Sequence, residues 1–269
     1  MAMVWSAVRS IHLFDDRSQL EHLFKEAPWR VQVTDAGEAA ILERWRLHLD
    51  VLSVRGLWCS ERRIAPLMRA LDSVAVSQGY ADLLSPVVPE FYSDPYVAAG
   101  MQVCQRIITM RLSNPAPRKT SVPAACEGVT LRLGREGDLD SLIAVDILAF
   151  DPFWRGDVPT IQRYLAAGRV AVAEYGGTVI GYTLATAERG EGMLGRLAVV
   201  PGHRGRGIGT LLLEDATDYL ARVGVSAVSL CTQEGNAVSR SLYGRAGFYQ
   251  VGGTSVFLAF GRTSETRAI

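Results

Sequence analysis

Apolar and polar residues alternate at Val129, Leu131 and Leu133, the period of a strand with one buried face. Asp138 then stands where a helix N-cap belongs, and Leu139, Leu142, Ile143, Ile147 and Phe150 follow at helical spacing. The stretch 151–157 (DPFWRGD) breaks the period and reads as a loop. Pro159 suits a first helical turn, so a short helix is expected over 159–166. Strands are expected over 169–174 and 178–186, joined across Gly176-Gly177, a hairpin signal. A third strand covers 193–200. Leu212, Ala216, Leu220 and Val223 place a helix after Gly207, and Gly224 suits its end, where φ turns positive. The pattern closes with a strand over 227–232, a helix over 236–246 and one or two strands over 249–260.

The first part of the chain repeats much of this order. A hairpin is expected over 29–34 and 39–46 around Ala36-Gly37, then a strand over 51–59. A helix carries Ile64, Leu67, Met68, Leu71 and Ala75 on one face and ends at Gly79. A short extended run covers 81–88, and 105–112 alternates like a strand. The repeated order points to an internal duplication. Between the halves, 113–127 (SNPAPRKTSVPAACE) holds three prolines and few large apolar residues, as a linker does. The expected division is a lobe over 1–112, a linker over 113–127 and a lobe over 128–269.

Composition narrows the function class. The 269 residues carry 28 basic and 28 acidic side chains, so no bulk charge favours nucleic acid. No apolar run approaches the ~18 residues that cross a bilayer, and the start lacks a basic segment leading into an apolar one. A cytoplasmic protein without nucleic-acid or membrane partners is expected. Cys59, Cys104, Cys126 and Cys231 are tens of residues apart, which suits reduced thiols rather than a zinc site or disulfide framework.

The chemistry concentrates in 197–210 (LAVVPGHRGRGIGT), a strand running through alternating glycines into an amphipathic helix. Glycines let a backbone approach a ligand closely. A helix start adds unpaired amides and the positive end of the dipole, which suits a pyrophosphate. Arg204 and Arg206 add cationic donors. A dinucleotide fold would place an acidic residue at the end of the next strand, which here ends in Cys231-Thr232. A Walker loop would need Gly-Lys-Ser/Thr, and Gly-Ile-Gly-Thr stands instead.

A second cluster follows: Asn236-Ala237, Leu242-Tyr243 and Gly247-Phe248. Together with Arg204, Gly207 and Gly209 it resembles the GNAT superfamily of acetyl-CoA-dependent N-acetyltransferases, over about 128–260. The resemblance implies an α/β (α+β) fold of tandem GNAT-like lobes, each a mixed, mostly antiparallel sheet flanked by helices. It implies acetyl-CoA as cosubstrate, no metal, and a small-molecule or peptide amine as acceptor, with monomer and homodimer both open. Leu197, Ala198 and Val199 would pair with the pantetheine arm. Amides of Gly205, Arg206, Gly207, Ile208, Gly209 and Thr210 would hold the pyrophosphate, with Arg204 beside them, and Asn236 would contact the cofactor. Tyr243 would be the general acid for the departing thiolate, whose thiol has a pKa near 8.5.

The family's two base positions fall on Met193 and Cys231, neither a carboxylate. Glu188, Glu191 and Glu234 stand nearby, with Glu191 the base candidate. The loop after the first helix offers Asp151, Phe153 and Trp154 as acceptor contacts. In the first lobe, 59–64 (CSERRI) holds no glycine and carries Glu61, so a degenerate lobe without a CoA site is expected. Three readings follow: direct acetyl transfer to a primary amine in a ternary complex, non-catalytic acyl-CoA sensing, or transfer of a larger acyl group.

Overall fold

The computed structural model describes residues 17–47, 50–117 and 126–267. It divides into two compact units, one of residues 1–106 with 253–269, the other of 107–252.

The first unit begins with α1 (Arg17–Glu26) and the strands β1 (Val31–Val33), β2 (Ala39–Arg44) and β3 (Val51–Trp58). The three pair antiparallel in sequence order. Helix α2 (Glu61–Ser77) then returns the chain to β4 (Asp82–Leu84), which lies parallel to β3. The α2 face predicted from spacing is the buried one: Ile64, Leu67, Met68, Leu71 and Ala75 pack on Leu42, Leu52, Val54 and Leu83. The extended run expected over 81–88 is broken into β4 and β5 (Val88–Pro89). A short α3 (Asp94–Val97) precedes β6 (Gln102–Ser113).

The second unit holds β7 (Val129–Leu133), α4 (Leu139–Ala149), α5 (Val158–Ala167), β8 (Arg169–Tyr175), β9 (Thr178–Glu188), β10 (Glu191–Val199), α6 (Ile208–Arg222), β11 (Ala227–Gln233) and α7 (Ala237–Arg245). Its strands run in the order β6, β11, β10, β9, β8, β7. The β10–β11 pair is parallel and the others are antiparallel. Successive residues of a strand serve opposite faces. Val170 and Val172 join Leu142, Val145 and Ile161 of α4 and α5. Ala171 and Ala173 join Leu211 and Leu212 of α6 on the other face.

The division differs from the sequence expectation at both edges, for a reason visible in the strand pairing. Residues 107–113 of β6 pair along the whole of β11, so they belong with the second unit. The closing strand β12 (Tyr249–Ala259) sends Ser255, Val256 and Ala259 to Pro89, Val88 and Leu84 of the first unit. Buried Asp82 fixes the return, accepting from the amides of Phe260 (3.1 Å) and Arg262 (2.7 Å) and from the Thr266 hydroxyl. Alternating patterns place strands but carry no record of which neighbour each one chooses. Part of the expected linker, 118–125, lies outside the described residues.

The two units share one internal order. Each has three strands joined by two antiparallel pairings, then a helix and a strand parallel to the third: β1-β2-β3-α2-β4 in one and β8-β9-β10-α6-β11 in the other.

Candidate active site

Strands β10 and β11 pair only from Glu191, Gly192 and Met193 to Ala227, Val228 and Ser229. Beyond that point β10 runs on to Val199 and β11 to Gln233, each still bonded to its outer neighbour, Val199 to Gly181 and Gln233 to Ile107. The sheet therefore opens along one line, with the inner edges of both strands left without a ladder. A bulge between Leu194 and Arg196 accompanies the opening, as bulges do where pairing ends. Backbone amides and carbonyls need partners, so a slot of this kind is suited to an extended, amide-bearing chain.

Val200–Gly207 connects β10 to α6 at the end of this slot. Gly205 and Gly207 have φ of 76° and 87°, a region costly to residues with a Cβ. Gly207 is the N-cap of α6, and the first helical amide to find a carbonyl is Leu211, bonded to Gly207 at 3.0 Å. Among the described residues, the amides from Gly205 to Thr210 make no hydrogen bond. They form a donor nest at a helix N-terminus, the arrangement that suits a diphosphate. Gly209 packs its α-carbon between Leu242 and Leu197, where a Cβ would sit 3.5 and 3.8 Å from their methyls.

The two loop arginines, expected as phosphate donors, already have partners within the protein. Arg204 gives Nε to the Val199 carbonyl (2.9 Å) and Nη2 to the Ala149 carbonyl (2.7 Å), so it braces the loop. Arg206 lies 3.2 Å from His203 Nδ1 and 5.3 Å from the centre of the Tyr175 ring. The Cys126 thiol bonds the Arg206 carbonyl at 3.1 Å, a further anchor from a distant segment.

Tyr243 sits on α7 in one apolar cluster with Leu194 and Leu230, the residues that follow the last β10–β11 pair on each strand. It is buried, and its hydroxyl has no hydrogen-bond partner among the described residues. Burial disfavours the phenolate and pushes its pKa up to about 12. Asn236 caps α7, accepting from the Ser239 amide at 3.0 Å. Its amide nitrogen lies 3.4 Å from Gln233 Oε1, at the end of β11.

Glu191 lies elsewhere. It occupies the closed end of the strand pair, opposite Ala227, three residues before Leu194, where the slot opens. At ~3.3 Å per residue that is roughly 10 Å along the strand. Its carboxylate meets Arg111 and the Ser226 hydroxyl at 3.0 Å. The Arg111 hydrogen bond leads in holding it below the usual carboxylate range. Its carboxylate is thus held by Arg111 and Ser226 at the closed end of the strand pair rather than inside the slot. Among the described residues no cluster of His, Cys, Asp and Glu is arranged to hold a metal.

The structure also brings together a network the spacing did not announce. Asp146 on α4 is fully buried and receives Tyr182, both Nε and Nη2 of Arg196, and the Gly156 amide (2.7 Å). Arg196 reaches further to the Trp154 carbonyl and lies 4.0 Å from the centre of the Phe150 ring. A carboxylate amid Leu142, Val145 and Leu139 was the available signal, since a buried charge needs a partner. In the same loop Phe153 is buried and stacks edge-on with Trp154 at 4.9 Å, while Asp151 is exposed.

Comparison with known proteins agrees with this geometry. Residues 141–248 match the Acetyltransferase (GNAT) family. A mycothiol acetyltransferase from Propionibacterium freudenreichii subsp. shermanii is 29% identical over 164 residues, which is 55% of this chain and 52% of that protein. The chain thus spans about half the length of this curated relative. Among solved structures, a GCN5-related N-acetyltransferase from Sphaerobacter thermophilus superposes with a TM-score of 0.63 at 20% identity, covering 100% of this chain and 92% of the other. A tandem GNAT protein from the clavulanic acid biosynthesis pathway gives 0.61 at 19% identity, covering 82% and 78%. At these identities the likeness speaks for the fold.

Proposed function

With residues 141–248 forming a domain of the GNAT acetyltransferases, we propose that this unit transfers the acetyl group of acetyl-CoA to a primary amine by direct attack in a ternary complex. The observation that carries the reading is the slot between β10 and β11 ending at the bare amides before α6. Acetyl-CoA, when bound, supplies an activated acyl group as a thioester.

The residues divide the work. The Leu197–Ala198 edge of β10 accepts the pantetheine amides as an added strand, while the Val199 carbonyl is already bonded to Arg204. The amides of Gly205–Thr210 hold the diphosphate. Asn236 keeps α7 in register, and Tyr243 faces the sulfur. In the transfer, the amine nitrogen bonds to the thioester carbonyl carbon and the carbon–sulfur bond breaks. The electron pair leaves on sulfur, which Tyr243 meets with its proton. The proton lost from nitrogen passes to solvent, since Glu191 is committed to Arg111.

Isothermal titration of acetyl-CoA, followed by thiol release across an amine panel, tests the reading. The expected result is one site per chain, lost in Gly207→Glu, with CoA released only when an accepted amine is present. Failure of the wild type to bind acetyl-CoA overturns it. Binding without release across the panel favours an acyl-CoA sensor instead.

A further inference from the structure

The segment 150–157 is fastened to the slot at both ends. Arg204 ties the Ala149 carbonyl to that of Val199, where the β10 edge finishes. Arg196, next to Leu197, holds the Trp154 carbonyl at 2.5 Å, and its partner Asp146 holds the Gly156 amide. The fit is close: a Cβ on Gly156 would lie 3.4 Å from Arg196 Cζ and Nε and from Asp146 Oδ2. The loop is therefore a rigid bank along the open stretch of β10.

Between those clamps stands Arg155. Its Nε is one of only two buried side-chain polar atoms without a hydrogen bond among the described residues. No described residue accepts a hydrogen bond from its guanidinium or pairs with it, whereas Arg196 and Arg204 each bond through Nε and Nη2. A buried donor on a permanent cation is costly unless an acceptor meets it. The carboxylate of that network, Asp146, is taken by Arg196, Tyr182 and Gly156.

We propose that Arg155 binds a carboxylate of the acceptor, so that the substrate class is amino acids and other amines bearing a carboxylate. A guanidinium presents its N–H groups in a planar fork that matches the two oxygens of a carboxylate. Asp151, exposed four residues earlier in the same turn, supplies the opposite charge and favours an incoming ammonium. A loop with one cation and one anion selects a zwitterion over a simple diamine. The assignment rests on the transfer reading given above.

The test uses the full chain and acceptors with and without the carboxylate, compared at a pH where each amine is deprotonated: phenylalanine against phenylalaninamide, and histidine against histamine, with thiol release as readout. Wild type should prefer the carboxylates. Arg155→Gln should lower kcat/KM for them roughly 10- to 100-fold, chiefly through KM, and erase the preference. Arg155→Lys should recover part of it. Retained acetyl-CoA binding identifies a folded variant, and the wild-type preference is informative without any variant. Equal turnover of acid and amide by the wild type, or an equal fall for both in Arg155→Gln, overturns the proposal while leaving acetyl transfer intact. Acetyl-CoA binding with no acceptor turned over removes both. Dipeptides, whose carboxylate lies farther from the amine, separate free amino acids from peptide N-termini.

Discussion

The two units pass from strand to helix in different ways. In the second, eight residues (200–207) with two left-handed glycines separate β10 from α6. In the first, Cys59 and Ser60 alone separate β3 from α2. There the N-cap is an extended Ser60, the first turn begins with Glu61, and Glu61 stands close enough to Tyr92 to add to desolvation in raising the pKa of its phenol. Arg63 of the same turn is taken by Glu38. One topology thus carries one junction with two left-handed glycines and one whose first turn begins with a carboxylate. The amides left without hydrogen bonds reside in a short connection, not in the strand–helix–strand order. We infer that the first unit is a degenerate copy without a CoA site.

The largest expected effect concerns the polar anchors that differ between the units. Asp146→Ala strands Arg196, whose side chain is only 10% exposed. Breaking such a pair costs about 3–5 kcal/mol, and chemical denaturation should report it. Asp82→Ala in the first unit strands the Phe260 and Arg262 amides but no buried guanidinium, because Arg262 also pairs with Asp72. Its cost should be about 1–3 kcal/mol. Equal losses would mean that the clamp on the 150–157 loop carries no special load.

Next comes the junction itself. Gly207→Glu combines a strained φ with a like charge facing a diphosphate, and should weaken acetyl-CoA at least ~100-fold, near 2.7 kcal/mol. Glu61→Gly should create no second site, because the connection there stays two residues long. A stoichiometry rising to two sites in that variant would end the argument from loop length.

Tyr243→Phe should leave acetyl-CoA affinity near wild type and lower kcat about 100-fold, the low end for general acid catalysis. Burial raises the Tyr243 pKa to about 12, so the proton is kept until the pH approaches that value. As pH rises, the amine acceptor loses its own proton and kcat/KM climbs. No falling limb should appear below about pH 11. A falling limb near pH 9 would assign the acid to another group.

Much of this was legible in the sequence. Period and punctuation placed every strand and the longer helices of the second unit, because one-sided burial writes itself into spacing. Gly205 to Gly209 and Asn236 to Tyr243 were readable because backbone geometry and helix caps demand particular residue types. What stayed hidden depends on partners far apart in the chain. Asp146 and Arg196 are fifty residues apart, and neither looks unusual alone. The exchange of edge strands at 107–113 and 253–259 leaves no local trace either. The same limit applies to Glu191, whose partner Arg111 stands eighty residues earlier in the chain.

The smallest effects separate a capping residue from a bystander. Asn236→Ala removes the hydrogen bond to the Ser239 amide and should cost about 1 kcal/mol of stability. It should also raise the acetyl-CoA Kd a few-fold as the start of α7 frays beside the slot. Glu191→Gln should change kcat/KM less than twofold at any pH, since its carboxylate is exposed and occupied by Arg111 and Ser226 at the closed end of β10. A tenfold fall in kcat with a displaced acidic limb would instead return a proton-accepting role to Glu191. It would also require β10 and β11 to part earlier than Met193 during turnover.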